Sequence, residues 1–208
     1  LEAATEAGNN TFLLKNKDIY LDMLTDSGVN AMTDQQVGSM LSVDDSYAGS
    51  ATWDECEAAI QDMFGMQYVL PVHQGRAAEN ILGRTYVTPG TVVPMNYHFT
   101  TSKVHVTLNG GEVDEIYYDD ALDSVSSKPF KGDMDPAKLQ ALIDKWGAGN
   151  VAFVRMESGT NLIGGQPHSL ANLREIGKIC RANGIKLVYD ASLMADNLYF
   201  LKNREEEC

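Results

Sequence analysis

The sequence predicts an α/β fold built on a mostly parallel sheet. Two patterns point to it. Over residues 51–208, short apolar runs rich in β-branched residues alternate with amphipathic stretches of helical period. The helical stretches are bounded by capping and turn residues, as expected of strand–helix–strand units.

Residues 1–50 are rich in Asn, Asp, Ser, Thr and Gly, with one short apolar stretch at Ile19-Tyr20-Leu21, and read as an N-terminal arm with little regular structure. Residues 53–64 read as a helix: Thr52 can cap it, and Cys56, Ile60 and Phe64 recur at helical spacing. Tyr68-Val69-Leu70 reads as a strand, followed by His73-Gln74-Gly75-Arg76 and a helix over 77–83. Thr91-Val92-Val93 and residues 113–117 are the next strand candidates. Asp135-Pro136 opens a helix with a capping carboxylate and Pro at its first position; Leu139, Leu142 and Ile143 face inward, and Gly147 ends it. Val151-Ala152-Phe153-Val154 is a buried strand. Ser169 caps a helix carrying Leu173, Ile176 and Cys180 on its apolar face, and residues 185–189 form a strand that finishes on Asp190.

Composition narrows the function. Of the 208 residues, 44% are hydrophobic and 22% charged, the balance of a globular protein, and no apolar run approaches the roughly 20 residues that span a bilayer. The first ten residues have neither a basic start nor an apolar stretch, so no secretory signal is expected there. A net charge of -13 disfavours nucleic acid and anionic membranes as partners, yet a local Arg beside a helix terminus can still hold a small anion. Cys56, Cys180 and Cys208 lack CxxC spacing, which argues against a disulfide framework or a zinc site and fits a reducing cytoplasm. His73, His98, His105 and His168 are scattered, without metal spacing or a hydrolase triad.

In parallel sheets ligands collect beyond the carboxyl ends of the strands, where Gln74, Gly75, Arg76, Asn161 and Asp190 are expected. Gln74-Gly75-Arg76 offers free backbone N–H groups at the positive end of a helix, with a guanidinium alongside, which suits a phosphate monoester. An ordinary glycine turn with a surface arginine has the same pattern. Asp190 ends an apolar strand, where a carboxylate needs a cationic partner such as a protonated pyridine nitrogen, or else caps the next turn. Tyr47 lies in a polar loop and could donate a proton, although a packing tyrosine or, for Phe99, a core ring explains either residue as well. From the residues alone the chain is an α/β domain that binds a small phosphorylated ligand.

The ordered series Asn10-Thr11-Phe12-Leu13-Leu14, Leu24-Thr25-Asp26-Ser27-Gly28, Tyr47-Ala48-Gly49-Ser50, His73-Gln74-Gly75-Arg76, Asn161 through Pro167, Ser169-Leu170-Ala171-Asn172 and Asn197-Leu198-Tyr199-Phe200 resembles the tryptophanase and tyrosine phenol-lyase family. These are β-eliminating lyases that depend on pyridoxal 5′-phosphate (PLP). The resemblance implies a partial type I PLP-transferase fold, with residues 1–50 as the arm and 51–208 as the N-terminal part of the cofactor-binding large domain. It implies that Gln74, Gly75 and Arg76 bind the phosphate, that Phe99 stacks on the pyridine ring, and that Asp190 pairs with the ring nitrogen. Asn161 would hydrogen-bond the ring hydroxyl and the substrate carboxylate, and Thr25 and Ser27 would line the amino-acid end of the substrate. Tyr47, reaching across a subunit interface, and Thr100 would be catalytic. Gly28 and Asp45 fall where the family holds a potassium ion, although Glu is usual in place of Asp45.

The implied reaction is β-elimination of tyrosine or tryptophan to phenol or indole, pyruvate and ammonia, in a dimer or tetramer. Thr100 after Phe99 and the short link over 84–95 lean toward the tyrosine-cleaving branch. Three departures qualify this. Leu193 stands where the family has an Arg near the cofactor hydroxyl, Asn9 replaces a usual Tyr, and the family is about twice as long. The segment with the Schiff-base lysine and the C-terminal small domain would lie beyond Cys208. The sheet is then expected to have a gap beside the strand ending at Asp190, where two further strands belong. An inactive remnant that binds a phosphorylated ligand or a complementary C-terminal chain, and another type I lyase such as a cysteine lyase or aldolase, are the alternatives.

Overall fold

A computed structural model describes residues 1–19, 32–44 and 47–205. The chain divides into two compact units, Leu1–Leu70 and Pro71–Cys208.

The first unit is more helical than the composition of the arm suggests. Its helices are α1 (Glu2–Glu6), α2 (Asp34–Ser42) and α3 (Ala51–Phe64). The start of α2 is a capping box: Thr33 Oγ1 accepts the Gln36 N–H, and Gln36 Oε1 accepts the Thr33 N–H. That reciprocal pair satisfies two helix-end donors, and the apolar side chains of α2, Val37, Met40 and Leu41, are all exposed. The cap of α3 is Ser50 rather than Thr52, because Ser50 Oγ accepts the Trp53 N–H at 3.1 Å. Gly65, in the left-handed conformation, ends it.

In the second unit α4 (Gly75–Tyr86), β1 (Val92–Met95), α5 (Thr100–Leu108) and β2 (Glu112–Glu115) come first. They are followed by α6 (Pro136–Trp146), β3 (Val154–Glu157), α7 (Leu170–Ala182), β4 (Leu187–Asp190) and α8 (Met194–Arg204). The four strands form one parallel sheet in the order β2-β1-β3-β4. The Asp135-Pro136 and Ser169 helix starts are where the sequence puts them: Asp135 Oδ1 accepts the Ala137 and Lys138 N–H groups, and Ser169 Oγ accepts from Asn172.

Side chains leave the sheet on alternate faces. Val154 and Met156 join Leu139, Leu142, Ile143 and Ile176 from α6 and α7 in one core cluster. Val93, Met95 and Phe153 join Val106 of α5 in a second, with Leu82, Tyr86 and Val188 packed against it. The helices α4 and α5 are pressed together at Gly83: an added Cβ there would lie 2.9 Å from the His105 carbonyl oxygen.

Two strand expectations are corrected. Tyr68-Val69-Leu70 forms no strand, and Tyr68 and Leu70 are exposed. A strand exists only through its ladder partners, and none of the described strands pairs with it. The third strand runs Val154–Glu157, so Val151 contributes only an isolated bridge to Val92. Its last residues are therefore Arg155, Met156 and Glu157, so charged groups follow directly after the expected apolar run. Both β1 and β3 are fully buried, whereas every residue of β4 is half-buried, as an open edge requires.

Candidate functional site

Helix α4 crosses the sheet face antiparallel to the strands. Near its C-terminal end the Tyr86 ring meets Phe153 edge-on with centroids 6.3 Å apart, and Lys186 Nζ lies 5.0 Å from the same ring. Phe153 and Lys186 precede β3 and β4, so the opposite end of α4, with Gln74, Gly75 and Arg76, is directed toward the carboxyl ends of those strands. Helix α5 runs the same way, since Asn80 contacts His105 while Gly83 contacts His105 and Asn109. Two helix N-termini thus point to the edge of the sheet where β3 and β4 finish, and their dipoles make that edge attractive to anions.

At the start of α4, Gln74 is extended and its side chain makes no cap hydrogen bond. Gly75 has open space around it, with nothing within 4 Å of an added Cβ, and Arg76 is exposed. An uncapped helix start with a glycine that lets a ligand reach the backbone, and an exposed guanidinium beside it, is the donor set a phosphate needs. Phe99 is half-buried at the start of α5, fixed by Ser102, whose Oγ accepts the Phe99 N–H and donates to the Phe99 carbonyl. Thr100 is the first residue of that helix and is exposed.

Asp190 closes β4. Its Oδ2 accepts from Arg155 Nη2 at 2.5 Å, and its Oδ1 accepts from the N–H and hydroxyl of Ser192. Burial pushes the carboxyl upward, but the Arg155 guanidinium and Ser192 outweigh it and hold Asp190 below the usual carboxylate range. Ser158 donates both N–H and Oγ–H to the Asp190 carbonyl and locks the two strand ends together.

Arg155 also donates from Nη1 to Glu157 Oε2 at 3.2 Å, and Glu157 Oε1 accepts the Asn161 N–H at 3.3 Å. Burial raises the Glu157 carboxyl, and Arg155 works against that rise. Asn96 fixes the loop from behind. Its Nδ2 contacts the carbonyls of Gly132 and Glu157 and the Thr160 hydroxyl, and its Oδ1 accepts the Glu157 N–H. Gly159, at φ 59°, packs so closely against Leu193 that an added Cβ would lie 2.9 Å from the Leu193 Cβ.

The structure thus joins Asp190 and Asn161 through side chains the sequence reading overlooked, Arg155 and Glu157, and directs the start of α4 toward the same sheet edge. The signal was available: charges at i and i+2 directly after an apolar run put two polar groups on one face of a buried strand. Tyr47 belongs to the first unit and is fully exposed. Thr25, Ser27, Gly28 and Asp45 lie outside the described residues. No group of three or more His, Cys, Asp or Glu among the described residues could hold a metal ion, and no described helix is long and apolar enough to cross a membrane.

The chain is similar to known proteins in sequence and in fold. The beta-eliminating lyase family matches residues 22–208. Tyrosine phenol-lyases from Symbiobacterium thermophilum and Fusobacterium nucleatum are each 45% identical over 205 residues, covering 99% of this chain and 45% of theirs. That from Clostridium tetani is 46% identical over 204 residues, covering 98% of this chain and 44% of its own. The chain spans about half the length of these curated relatives. Among solved structures, an aromatic amino acid beta-eliminating lyase/threonine aldolase from Exiguobacterium sp. 255-15 superimposes with a TM-score of 0.53 at 19% identity, over 78% of this chain and 45% of that one. A chain of a SepCysS–SepCysE N-terminal domain complex gives 0.52 at 18% identity, over 67% of this chain and 35% of that one. The fold is that of the type I PLP enzymes, and the chain belongs to the beta-eliminating lyase family.

Proposed function

We propose that this chain forms the cofactor-holding part of a PLP-dependent lyase that cleaves tyrosine to phenol, pyruvate and ammonia. The observation that carries the reading is Asp190: a carboxylate held ionised by Arg155 at a strand end toward which the uncapped start of α4 is directed. The residues present fit the group. Gln74, Gly75 and Arg76 would hold the phosphate, Asp190 would accept from the ring nitrogen, Phe99 would cover the ring face, and Asn161 would bind the ring hydroxyl and the substrate carboxylate.

PLP, when bound, supplies an electron sink for the bonds around the substrate's α-carbon. The chain's own residues do the rest. Asp190 offers the ring nitrogen a hydrogen-bond acceptor, and the Asn161 side chain orients the carboxylate of the amino acid. Tyr47 would move a proton at its phenolic oxygen, and Thr100 would hydrogen-bond the phenolic end of the substrate. Thr25 and Ser27 would line the amino-acid end of the substrate, and Gly28 and Asp45 would hold potassium by a carbonyl and a carboxylate. Tyrosine is favoured over tryptophan by the 45% identity to tyrosine phenol-lyases and by Thr100 directly after Phe99.

The family relatives' greater length supports supplying a second polypeptide in the assay, with the sequence of their C-terminal half. Pyruvate release from tyrosine, tryptophan and cysteine is then measured with PLP, with and without that polypeptide. Release from tyrosine above the other two is expected. Release only from cysteine would favour a cysteine lyase, and release from none would overturn the proposal. Binding of PLP against pyridoxal tests the phosphate cradle separately: R76A should erase roughly tenfold of the preference for the phosphorylated form.

A further inference from the structure

The charges at the end of β4 do not add up as a lone carboxylate would. Asp190 offers one negative charge, but the guanidinium of Arg155 sits 2.5 Å from its Oδ2, and that pair is neutral. A protonated pyridine nitrogen brought to such a pair gains no net attraction and meets a cation on the same carboxylate. Glu157 restores the balance. It lies two residues along β3 from Arg155, so both side chains leave the same face of the strand. Its Oε2 accepts from Arg155 Nη1 at 3.2 Å. The Arg155 and Glu157 side chains are each only 5% exposed, so neither charge is screened by bulk water.

Glu157 has a second attachment. Its Oε1 accepts the backbone N–H of Asn161 at 3.3 Å, so a single carboxylate links the strand-end cation to the residue proposed for the ring hydroxyl. The path Asp190–Arg155–Glu157–Asn161 is continuous, and every step is a hydrogen bond. We propose that Glu157 is the second carboxylate of the ring-nitrogen site, a positioning residue that offsets Arg155 and makes the cluster net negative, so that it selects a protonated pyridine ring. With both acids ionised the three groups carry a single negative charge, which matches a single pyridinium. Removing Glu157 leaves a neutral Arg155–Asp190 pair, whereas removing Glu157 and Arg155 together returns the site to one carboxylate. This inference rests on the PLP reading above.

The test compares two probes on the full chain: PLP, and its 1-deaza analogue, which carries the same phosphate but CH in place of the ring nitrogen. Dissociation constants come from titration calorimetry on wild type, E157Q and the double variant R155M/E157Q, each checked for folding by circular dichroism. Wild type should prefer PLP by roughly tenfold, the advantage of a hydrogen bond between charged groups. E157Q should lose that preference, and the double variant should recover it. If E157Q fails to fold, E157A removes the same charge and should show the same loss. A merely structural role would weaken both probes equally and leave their ratio unchanged, which would overturn the proposal. Equal binding of the two probes to wild type would overturn it too while leaving the phosphate cradle intact. No binding of either probe would overturn the cofactor reading and this inference with it.

Discussion

Arg155 on β3 and Asp190 at the end of β4 are joined by a hydrogen-bonded ion pair, Nη2 to Oδ2 at 2.5 Å, across 35 residues of sequence. Because the Arg155 side chain is buried and bridges two acids, its removal strands both carboxylates. R155M should lower stability by about 3–5 kcal/mol, the usual result of breaking a buried pair from one side. Replacing Arg155 and Glu157 together should cost less than R155M alone. Urea denaturation midpoints of the single and double variants check this, and a double variant less stable than R155M would contradict it.

The carboxyl of Asp133 is pushed up to about 6, mainly by burial, against the hydrogen bonds it accepts from the Ser169 N–H and hydroxyl. A folded value above the unfolded one favours the protonated form. The associated stability is therefore present below the model-peptide value of 3.8 and lost as pH rises through about 6. Glu157, also raised, works in the same direction, while Asp190, held low, contributes stability that disappears on acidification. D133N keeps an acceptor for Ser169 but cannot ionise. Thermal melts between pH 4 and 7 should show wild type losing more stability with rising pH than D133N; parallel curves would exclude Asp133 as the source.

The contact between α4 and α5 sets the direction of the α4 start, and Gly83 is where they touch. G83V would drive its side chain into the His105 carbonyl, with a cost of about 1–3 kcal/mol for overpacking. G75A at the other end of the same helix meets empty space and should leave the melting temperature unchanged. A G83V melting temperature equal to that of wild type would show that the helices separate freely.

Much of this was legible in the sequence because it is local. Asp135-Pro136 and Ser169 start helices by bonds to residues two or three positions ahead, which a linear pattern displays. The α2 capping box is equally local, yet the polar residues that surround Val37, Met40 and Leu41 make the segment read as an arm. Tyr68-Val69-Leu70 has a strand's composition, but strand formation depends on a partner that the sequence of the segment does not contain. Arg155 and Glu157 were hidden for the opposite reason: charged residues suggest an exposed surface, and their burial makes sense only once β4 brings Asp190 alongside. Asp190 itself stands out as a strand-end carboxylate, but the Arg155 that pairs with it does not.

Asn96, at the end of β1, is 1% exposed and serves the site from below. Its amide nitrogen has two hydrogens for three acceptors, at Gly132, Glu157 and Thr160, and its oxygen takes the Glu157 N–H at 3.0 Å. N96A would leave these buried backbone groups without their partner, at about 1–3 kcal/mol for each group left unsatisfied. N96D would keep the acceptor for Glu157 but turn a carboxylate oxygen toward two carbonyls, so it should be no better than N96A. Because the clamp holds Glu157, the consequence is local as well as global. Amide hydrogen exchange at Glu157 and Asn161 should accelerate in N96A more than at Val93 or Ile176 in the two core clusters. Uniform acceleration at all four positions would mean that Asn96 supports the fold as a whole and not the loop that carries Asn161.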